Sequence, residues 1–462
     1  MTGNVANPIH AQRHAAGGPD AITPEMIGAT HGTRWLTLPA GWNTGIKAAL
    51  ANIGSADAGF LWDGTSVLNG GPNLTARSQS IPDLVLAGMI TKGYSLHIDG
   101  FAPTAHTYCS GTPDATLTPG GYLADVNAPF SALANTGATQ YQVDHACFGR
   151  AFEPKGSTAG TFSTSTSNTN CTGADFVFAG ILPSGVFTIT ADTLSGATVS
   201  CTTPSMISVA GNVITVTNHG PNGWGGNPVD KISIRGLTAG VHTFAVNNPT
   251  VANRVVWGWL NLVYGTSTGL AWMRNGNAGS LAVDEVLTSH TQSSPAYNGR
   301  TVVSGNRDRY WTNGVAGING TNGCYLTASL FGYPAGCNIL IDDSWLNDES
   351  AGVSVEAWAS AKNRKWRAMR RAVPDMSIIA LIPSYPDGLT SDDPTPGRGL
   401  NKAQMKSAAY NLAAQYNAAV VDIDAKWGST GVAQGFQLNT GDLHPTVAGA
   451  ADIAAQILAC LY

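Results

Sequence analysis

Hydrophobic positions follow two different patterns along the chain, and the first pattern occurs in both its N-terminal and its C-terminal parts. Continuous apolar runs alternate there with stretches of helical periodicity, a pattern that indicates buried strands and the helices that cover them. The apolar runs are Ala58–Trp62, Asn338–Asp342 and Met376–Ile382, and the helical stretches are Ala48–Asn52, Ile81–Thr91, Val353–Ala372, Lys402–Ala418 and Thr446–Leu461. These segments predict the α/β fold class.

The middle of the chain has a different rhythm, in which short β-type runs are separated by Gly, Asn and Pro turns. The runs are Asp175–Phe178, Val186–Thr190, Asn212–Thr217, Lys231–Ile234 and Val241–Val246. This spacing suggests an antiparallel β-sandwich. The Ser/Thr/Asn-rich tract Ser157–Thr172 is predicted to be a long loop or linker. Because the α/β pattern resumes after Gly269, the simplest interpretation is one α/β domain, residues 33–122 and 263–462, split by an inserted sandwich at 123–262.

Residues 1–32 differ from everything that follows. They contain too few apolar side chains to fold alone and predict an extended arm for attachment or oligomerisation. His10 and His14 are four residues apart, a spacing compatible with a metal, but no third ligand lies nearby. No metal site is therefore predicted.

Composition excludes several classes of protein. The 24 Lys and Arg against 29 Asp and Glu give a net charge of −5 with no basic run, which argues against nucleic-acid binding. The apolar runs are too short to span a bilayer, so no transmembrane helix is expected. The first residues contain no apolar segment of the kind found in secretory signals, so no signal peptide is expected. The seven cysteines show no metal-type spacing. Cys324 with Cys337, or Cys171 with Cys201, would be able to pair in an oxidising environment.

Two patches carry a candidate nucleophile and base. In Phe60–Gly70, an apolar run ends in a glycine turn that Ser66 follows, and a serine at the carboxyl edge of an α/β sheet lies in the usual ligand crevice. In Gly441–Thr446, Pro445 is expected at the first helical position, which leaves His444 on a loop close to Asp442. A histidine with a nearby carboxylate can act as a general base with its orienter. A surface turn and an ordinary helix cap are the alternatives.

Two further patches offer hydrogen-bond donors. The glycines of Asn275–Ser280 allow close backbone approach and can aim an N–H at a developing oxyanion, although a plain loop would look the same. After the run at 338–342, the amide of Asn347 can also donate to an oxyanion. Asp342 and Asp343 suit acid/base or metal chemistry, but adjacent strand residues point to opposite faces. We therefore expect one of them to be solvated and the other to orient the loop.

Taken in order, the four patches resemble the blocks of the SGNH (GDSL-like) hydrolase family over residues 35–122 and 269–462. The GDSxxxG block is similar to Gly64-Thr65-Ser66 with Gly70, the second-block glycine to Gly279, the GxND block to Leu346–Asp348, and the DxxHP block to Asp442–Pro445. Three letters depart from the family pattern. Thr65 stands where the family has Asp, Trp345 precedes Leu346 where GxND has its first glycine, and Asp442 lies two residues before His444 instead of three.

The resemblance implies a three-layer α/β/α flavodoxin-like domain and a serine hydrolase without metal or organic cofactor. Ser66 would be the nucleophile, His444 the base and Asp442 the orienter. The Ser66 N–H, the Gly279 N–H and the Asn347 amide would form the oxyanion hole, each donor typically worth roughly 3–4 kcal/mol of barrier. Because Asp442 is displaced, a Ser–His dyad with a backbone carbonyl holding the ring is the other arrangement.

The insert resembles a carbohydrate-binding, jelly-roll-like module because of its aromatic residues. Trp257 and Trp259 alternate within one apolar run, so they are expected to share a face. Core packing and a sugar-stacking platform are both compatible with such a pair.

The segment of about twenty residues from His10 is similar to one near the N-termini of bacteriophage minor tail proteins. Together the two resemblances predict a virion-tail esterase that acts outside the cell on ester-linked acyl groups of a host-surface glycan or lipid. Its other partners would be tail proteins bound through residues 1–32, and a homotrimer is expected by analogy. The alternatives are an inactive hydrolase fold that binds host glycan, a purely structural tail component and a free secreted esterase.

Overall fold

The computed structural model describes residues 35–65, 67–68, 73–74, 77–101, 114–117, 130–142, 150–154, 160–164, 170–181, 186–201, 204–217, 230–247, 255–265, 267–276, 337–343, 354–384, 402–438 and 444–462. The strands are β1 (Leu36–Thr37), β2 (Ala58–Gly64), β3 (Leu96–Phe101), β4 (Asp114–Leu117), β5 (Phe130–Gln142), β6 (Arg150–Pro154), β7 (Gly160–Thr164), β8 (Cys171–Ile181), β9 (Val186–Ala191), β10 (Thr198–Cys201), β11 (Ile207–Ala210), β12 (Val213–Thr217), β13 (Asp230–Gly240), β14 (Thr243–Asn247), β15 (Val255–Tyr264), β16 (Leu270–Gly276), β17 (Ile339–Asp342), β18 (Ser377–Ile382) and β19 (Ala419–Asp422). The helices are α1 (Thr44–Ala51), α2 (Ile81–Thr91), α3 (Val355–Ala372), α4 (Lys402–Gln415), α5 (Ile423–Trp427) and α6 (Val447–Leu461).

Six parallel strands form the centre of the α/β part, in the order β3, β16, β2, β17, β18, β19. The short strand β1 pairs antiparallel with β19 at one edge. The chain runs from β2 through α2 to β3 on one side of β2, and β17 lies on its other side. The order of strands therefore reverses at β2, and the carboxyl ends of such neighbouring strands border a ligand crevice.

Burial explains why the apolar runs become central strands. Every residue of β2, β17, β18 and β19 is buried, which requires cover on both faces of the sheet. Helix α2 packs against α6, and α3 packs against α4. One hydrophobic cluster joins these helices to the strands, with Phe60, Trp62 and Trp272 among its fully buried side chains.

The antiparallel strands lie between β3 and β16 in the chain. One set pairs in the order β10, β13, β8, β15, and a second in the order β11, β12, β9, β14, β7, β5. The two sets share a second hydrophobic cluster, in which Phe176 of β8 meets Phe244 of β14 edge-on at 5.5 Å between ring centroids. Strand β15 also pairs antiparallel with β3, so these strands continue from the edge of the parallel sheet.

One prediction about this region is wrong. The tract Ser157–Thr172 is not one long loop, because it contains β7 and the start of β8. Strand β7 is recruited by pairing with β14 and β5, which are distant in sequence. Cys171 is a buried thiol that forms no disulfide, so the pairing with Cys201 that an oxidising environment would allow is not present. Cys337 is also buried. Cys324 lies outside the described residues.

None of the helices in the described ranges has the length and apolar character needed to cross a membrane. Residues 1–32, with His10 and His14, lie outside the described part of the chain.

Candidate active site

Three adjacent parallel strands end at the same edge of the sheet, and three of the sequence patches follow these strands in the chain. Strand β2 ends at Gly64, with β17 on one side, where Asp342 pairs with Asp63. On its other side lies β16, where Gly276 pairs with Gly64. The patches around residues 66, 279 and 347 therefore leave the sheet from one edge, at the point where the strand order reverses.

Asp343 holds the loop that begins after β2. Its Oδ1 accepts the Thr65 N–H at 2.5 Å, and its Oδ2 accepts the Thr65 hydroxyl at 3.2 Å. The Thr65 Oγ1 in turn accepts the Val67 N–H at 3.2 Å. A Cβ on Gly64 would lie 1.5 Å from the Asp343 Oδ1, so the loop approaches this carboxylate closely only because residue 64 is glycine. Asp343 therefore orients the loop after β2, whereas the prediction concerned the loop that follows Asp343 itself, which lies outside the described residues.

The other acid, Asp342, belongs to a buried ion cluster between the sheet and α3. Its Oδ1 contacts Lys362 Nζ at 2.5 Å and Lys365 Nζ at 3.4 Å, and its Oδ2 accepts the Trp366 Nε1–H at 2.7 Å. Lys365 also contacts Asp63. Burial opposes ionisation of Asp342, but the two ammonium groups outweigh it and hold the pKa of this carboxyl well below its usual value. The prediction that one of the two acids is solvated is wrong, because both are buried.

His444 lies half-buried on the loop before α6, as predicted. Helix α6 begins at Val447 and is capped by the Thr446 hydroxyl, which accepts the Gly449 N–H at 3.2 Å. Pro445 therefore precedes the cap, and its predicted place at the first helical position is wrong. Thr446 is also held from outside the helix, since its N–H donates to Phe436 O at 2.9 Å.

One hydrogen bond joins the loop after β2 to the loop before α6. The side-chain amide of Asn73 donates to the backbone oxygen of His444 at 2.8 Å. Asn73 lies seven residues after Ser66 and was not singled out in the sequence, where an isolated Asn carries no signal. This contact holds Asn73, on the chain that follows β2, against the loop before α6.

Several predicted site residues lie outside the described part of the chain, namely Ser66, Asp442, Gly279 and Asn347. Their roles stay predictions, although residues adjacent to Ser66 on both sides are described. The backbone of Trp257 pairs with Phe178 and that of Trp259 with Val177. Between these two pairings β15 advances by two residues while β8 advances by one, which is a β-bulge. The prediction that Trp257 and Trp259 share a face assumed a regular strand, and the bulge interrupts that regularity.

Two other histidine–carboxylate pairs in the described residues lie away from this edge. His97 Nδ1 is 2.8 Å from Asp57 Oδ1, at the start of β3 and the opposite end of the sheet. Asp57 also accepts the Gly269 N–H at 2.8 Å, so this pair ties three strands together. His242 and Asp192 contact each other within the antiparallel region.

Among solved structures, the fold of this chain is similar to that of a peptidoglycan O-acetylesterase. The structure of a peptidoglycan O-acetylesterase matches 91% of this chain and 95% of its own, with a TM-score of 0.54 and 11% identity. A carbohydrate esterase family 2 enzyme with a carbohydrate-binding domain from Myceliophthora fergusii matches 70% of this chain and 99% of its own, at 13% identity and a TM-score of 0.28. A lipase/acylhydrolase from Enterococcus faecalis matches 41% of this chain and 75% of its own, at 15% identity and a TM-score of 0.27. No family model and no curated protein matches the sequence.

Proposed function

We propose that this chain is a serine esterase that removes ester-linked acyl groups from a cell-surface glycan or lipid. The observation that carries the proposal is the hydrogen bond from Asn73 to His444, which ties the loop of the nucleophile to the loop of the base. The loops lie at the edge of the sheet where strand order reverses, and the fold is shared with a peptidoglycan O-acetylesterase.

The proposed reaction follows the serine-hydrolase scheme. Ser66 Oγ attacks the ester carbonyl while its proton passes to His444, and Asp442 stabilises the imidazolium. The Ser66 N–H, the Gly279 N–H and the Asn347 amide bind the oxyanion. His444 then protonates the leaving alcohol, and water, deprotonated by His444, releases the acid from the acyl-enzyme.

An O-acetylated glycan is the substrate class that we favour. Its support is the likeness to the peptidoglycan O-acetylesterase, which covers nearly the whole of both chains. The antiparallel region has its own hydrophobic cluster, and we propose it as a sandwich-type module that holds the glycan, with Trp257 and Trp259 as candidate stacking residues.

Acetate release from O-acetylated peptidoglycan, measured beside hydrolysis of p-nitrophenyl acetate, butyrate and octanoate, tests the proposal. We expect acetyl esters to be cleaved fastest and a fluorophosphonate probe to label Ser66, as located by peptide mass spectrometry. A folded chain with neither turnover nor label would contradict the esterase and favour the inactive, glycan-binding alternative.

The virion-tail context is a further part of the proposal and rests on the segment at 1–32. We propose that these residues attach the esterase to other tail proteins and assemble a homotrimer at the host surface. Light scattering coupled to size-exclusion chromatography is expected to give three times the 47.7 kDa chain mass for residues 1–462 and one chain mass for residues 35–462. A monomeric full-length chain would contradict the trimer.

A further inference from the structure

Asp343 is a fully buried acid that has no part in the reaction scheme above. Both described hydrogen bonds of its carboxylate are to Thr65, the residue directly before Ser66. Through the Thr65 hydroxyl, the same carboxylate also fixes the Val67 N–H, directly after Ser66. One side chain directly after β17 therefore fixes the backbone on both sides of the proposed nucleophile.

The space around this carboxylate is built for it. A Cβ on Gly64 would overlap the Asp343 Oδ1. The backbone of Asp343 is also held, because its N–H donates to the backbone oxygen of Asp63 at 3.2 Å. Leu68, two residues after Ser66, is buried in the main hydrophobic cluster. The loop thus has little freedom to shift away from Asp343.

We propose that Asp343 is a positioning residue for Ser66, and that turnover requires its carboxylate in the ionised form. This inference rests on the proposed esterase function. An ionised carboxylate only accepts hydrogen bonds, so it takes both the N–H and the hydroxyl of Thr65. A protonated carboxyl would instead donate to the Thr65 hydroxyl and reverse the direction of that hydrogen bond. The same hydroxyl oxygen accepts the Val67 N–H, so the reversal would also disturb the position of Val67.

The charges around Asp343 place its titration in an accessible range. Burial is the main cause that raises the pKa of Asp343 to about 7, and the neighbouring Asp342 charge raises it further. The Thr65 hydrogen bonds and the Lys362 ammonium act in the opposite direction. Among the described residues, the charged groups packed around it are Asp342 from β17, Asp63 from β2, and Lys362 and Lys365 from α3. Both lysines contact Asp342 or Asp63.

The test compares kcat for p-nitrophenyl acetate between wild type and Asp343→Asn from pH 5 to 9. The asparagine amide would donate to the Thr65 hydroxyl and so imitate the protonated acid. At pH 9 we expect the wild-type kcat to exceed that of the variant by about tenfold, which corresponds to the net contribution of one hydrogen bond. Below pH 6, where Asp343 is protonated, the ratio of the two kcat values should approach one. KM is expected to stay within about twofold, because the substrate does not contact Asp343.

Asp57→Asn is the matched control, since Asp57 is also buried but lies at the opposite end of β2. Its kcat ratio to wild type is expected to be independent of pH. Thr65→Val is the second variant. It should lower kcat severalfold and speed hydrogen exchange of the Val67 amide, and Thr65→Ser should restore both.

The outcomes separate the two proposals. An active wild type whose ratio to Asp343→Asn does not change with pH would overturn the role of Asp343 and leave the esterase intact. A wild type without turnover on any ester would overturn the esterase function, and the positioning role with it.

Discussion

Ser66→Ala and His444→Ala are each expected to lower kcat for p-nitrophenyl acetate by roughly 10³- to 10⁶-fold. Alanine at 66 removes the nucleophile, and alanine at 444 removes the group that accepts its proton. The two groups act as a unit, so the double variant should be no slower than the worse single one. KM should change little, because neither change removes the oxyanion donors from Gly279 and Asn347.

Matched controls are available in the same fold. Ser78 is exposed on the short 3₁₀ turn after the nucleophile loop, and His97 pairs with Asp57 at the far end of the sheet. Ser78→Ala and His97→Ala should retain kcat within about twofold if folded. Equal losses in the control and site variants would show that the activity does not come from this site.

Asp442→Asn decides between a triad and a dyad. A loss of about 10²-fold or more would show that Asp442 orients His444 despite its shorter spacing. A loss of less than about tenfold would assign that task to a backbone carbonyl.

Lys365→Met is expected to destabilise the fold by about 3–5 kcal/mol. Lys365 is fully buried, and its ammonium contacts Asp63 on β2 and Asp342 on β17. Asp342 keeps Lys362 and Trp366 in the variant, whereas the buried Asp63 loses the ammonium group that its carboxylate contacts. Urea unfolding followed by tryptophan fluorescence measures the change.

A second substitution shows whether the loss comes from charge. Lys365→Met with Asp63→Asn should be more stable than Lys365→Met alone, since removing both members of a buried ion pair is less costly than removing one. Lys47→Met, the same change at an exposed position on α1, should stay within about 0.5 kcal/mol of wild type. A Lys365→Met protein as stable as the Lys47→Met protein would contradict the expected role of the cluster.

Features determined by local pattern were predicted well. The continuous apolar run at Ala58–Trp62 could only be a strand covered on both faces, and Ile81–Thr91 became α2 with the bounds expected from its composition. His444 was placed correctly outside a helix, although the capping hydroxyl of Thr446 moved the helix start two residues past Pro445.

Features that depend on distant partners were not predictable in the same way. Strand β7 forms within a tract of loop-like composition because β14 and β5 offer backbone partners. The burial of both Asp342 and Asp343 required knowing that Lys362 and Lys365 of α3 would meet one of them and Thr65 the other. Asn73 carries no motif, and its role depends on the position of a loop 371 residues away.

The Asp343–Thr65 contact spans 278 residues and has a consequence for how relatives of this chain are recognised. The GDSxxxG block that this sequence resembles places an acid directly before the serine, whereas here Thr65 occupies that position and Asp343, just after β17, accepts its hydrogen bonds. The two positions should therefore covary. A relative with Asp at position 65 has no use for a second buried acid at 343, while one with Thr or Ser at 65 should carry Asp at 343 and Gly at 64. A sequence signature for this loop should therefore combine positions 64, 65 and 343. A search with a local motif covers positions 64 and 65 and omits position 343.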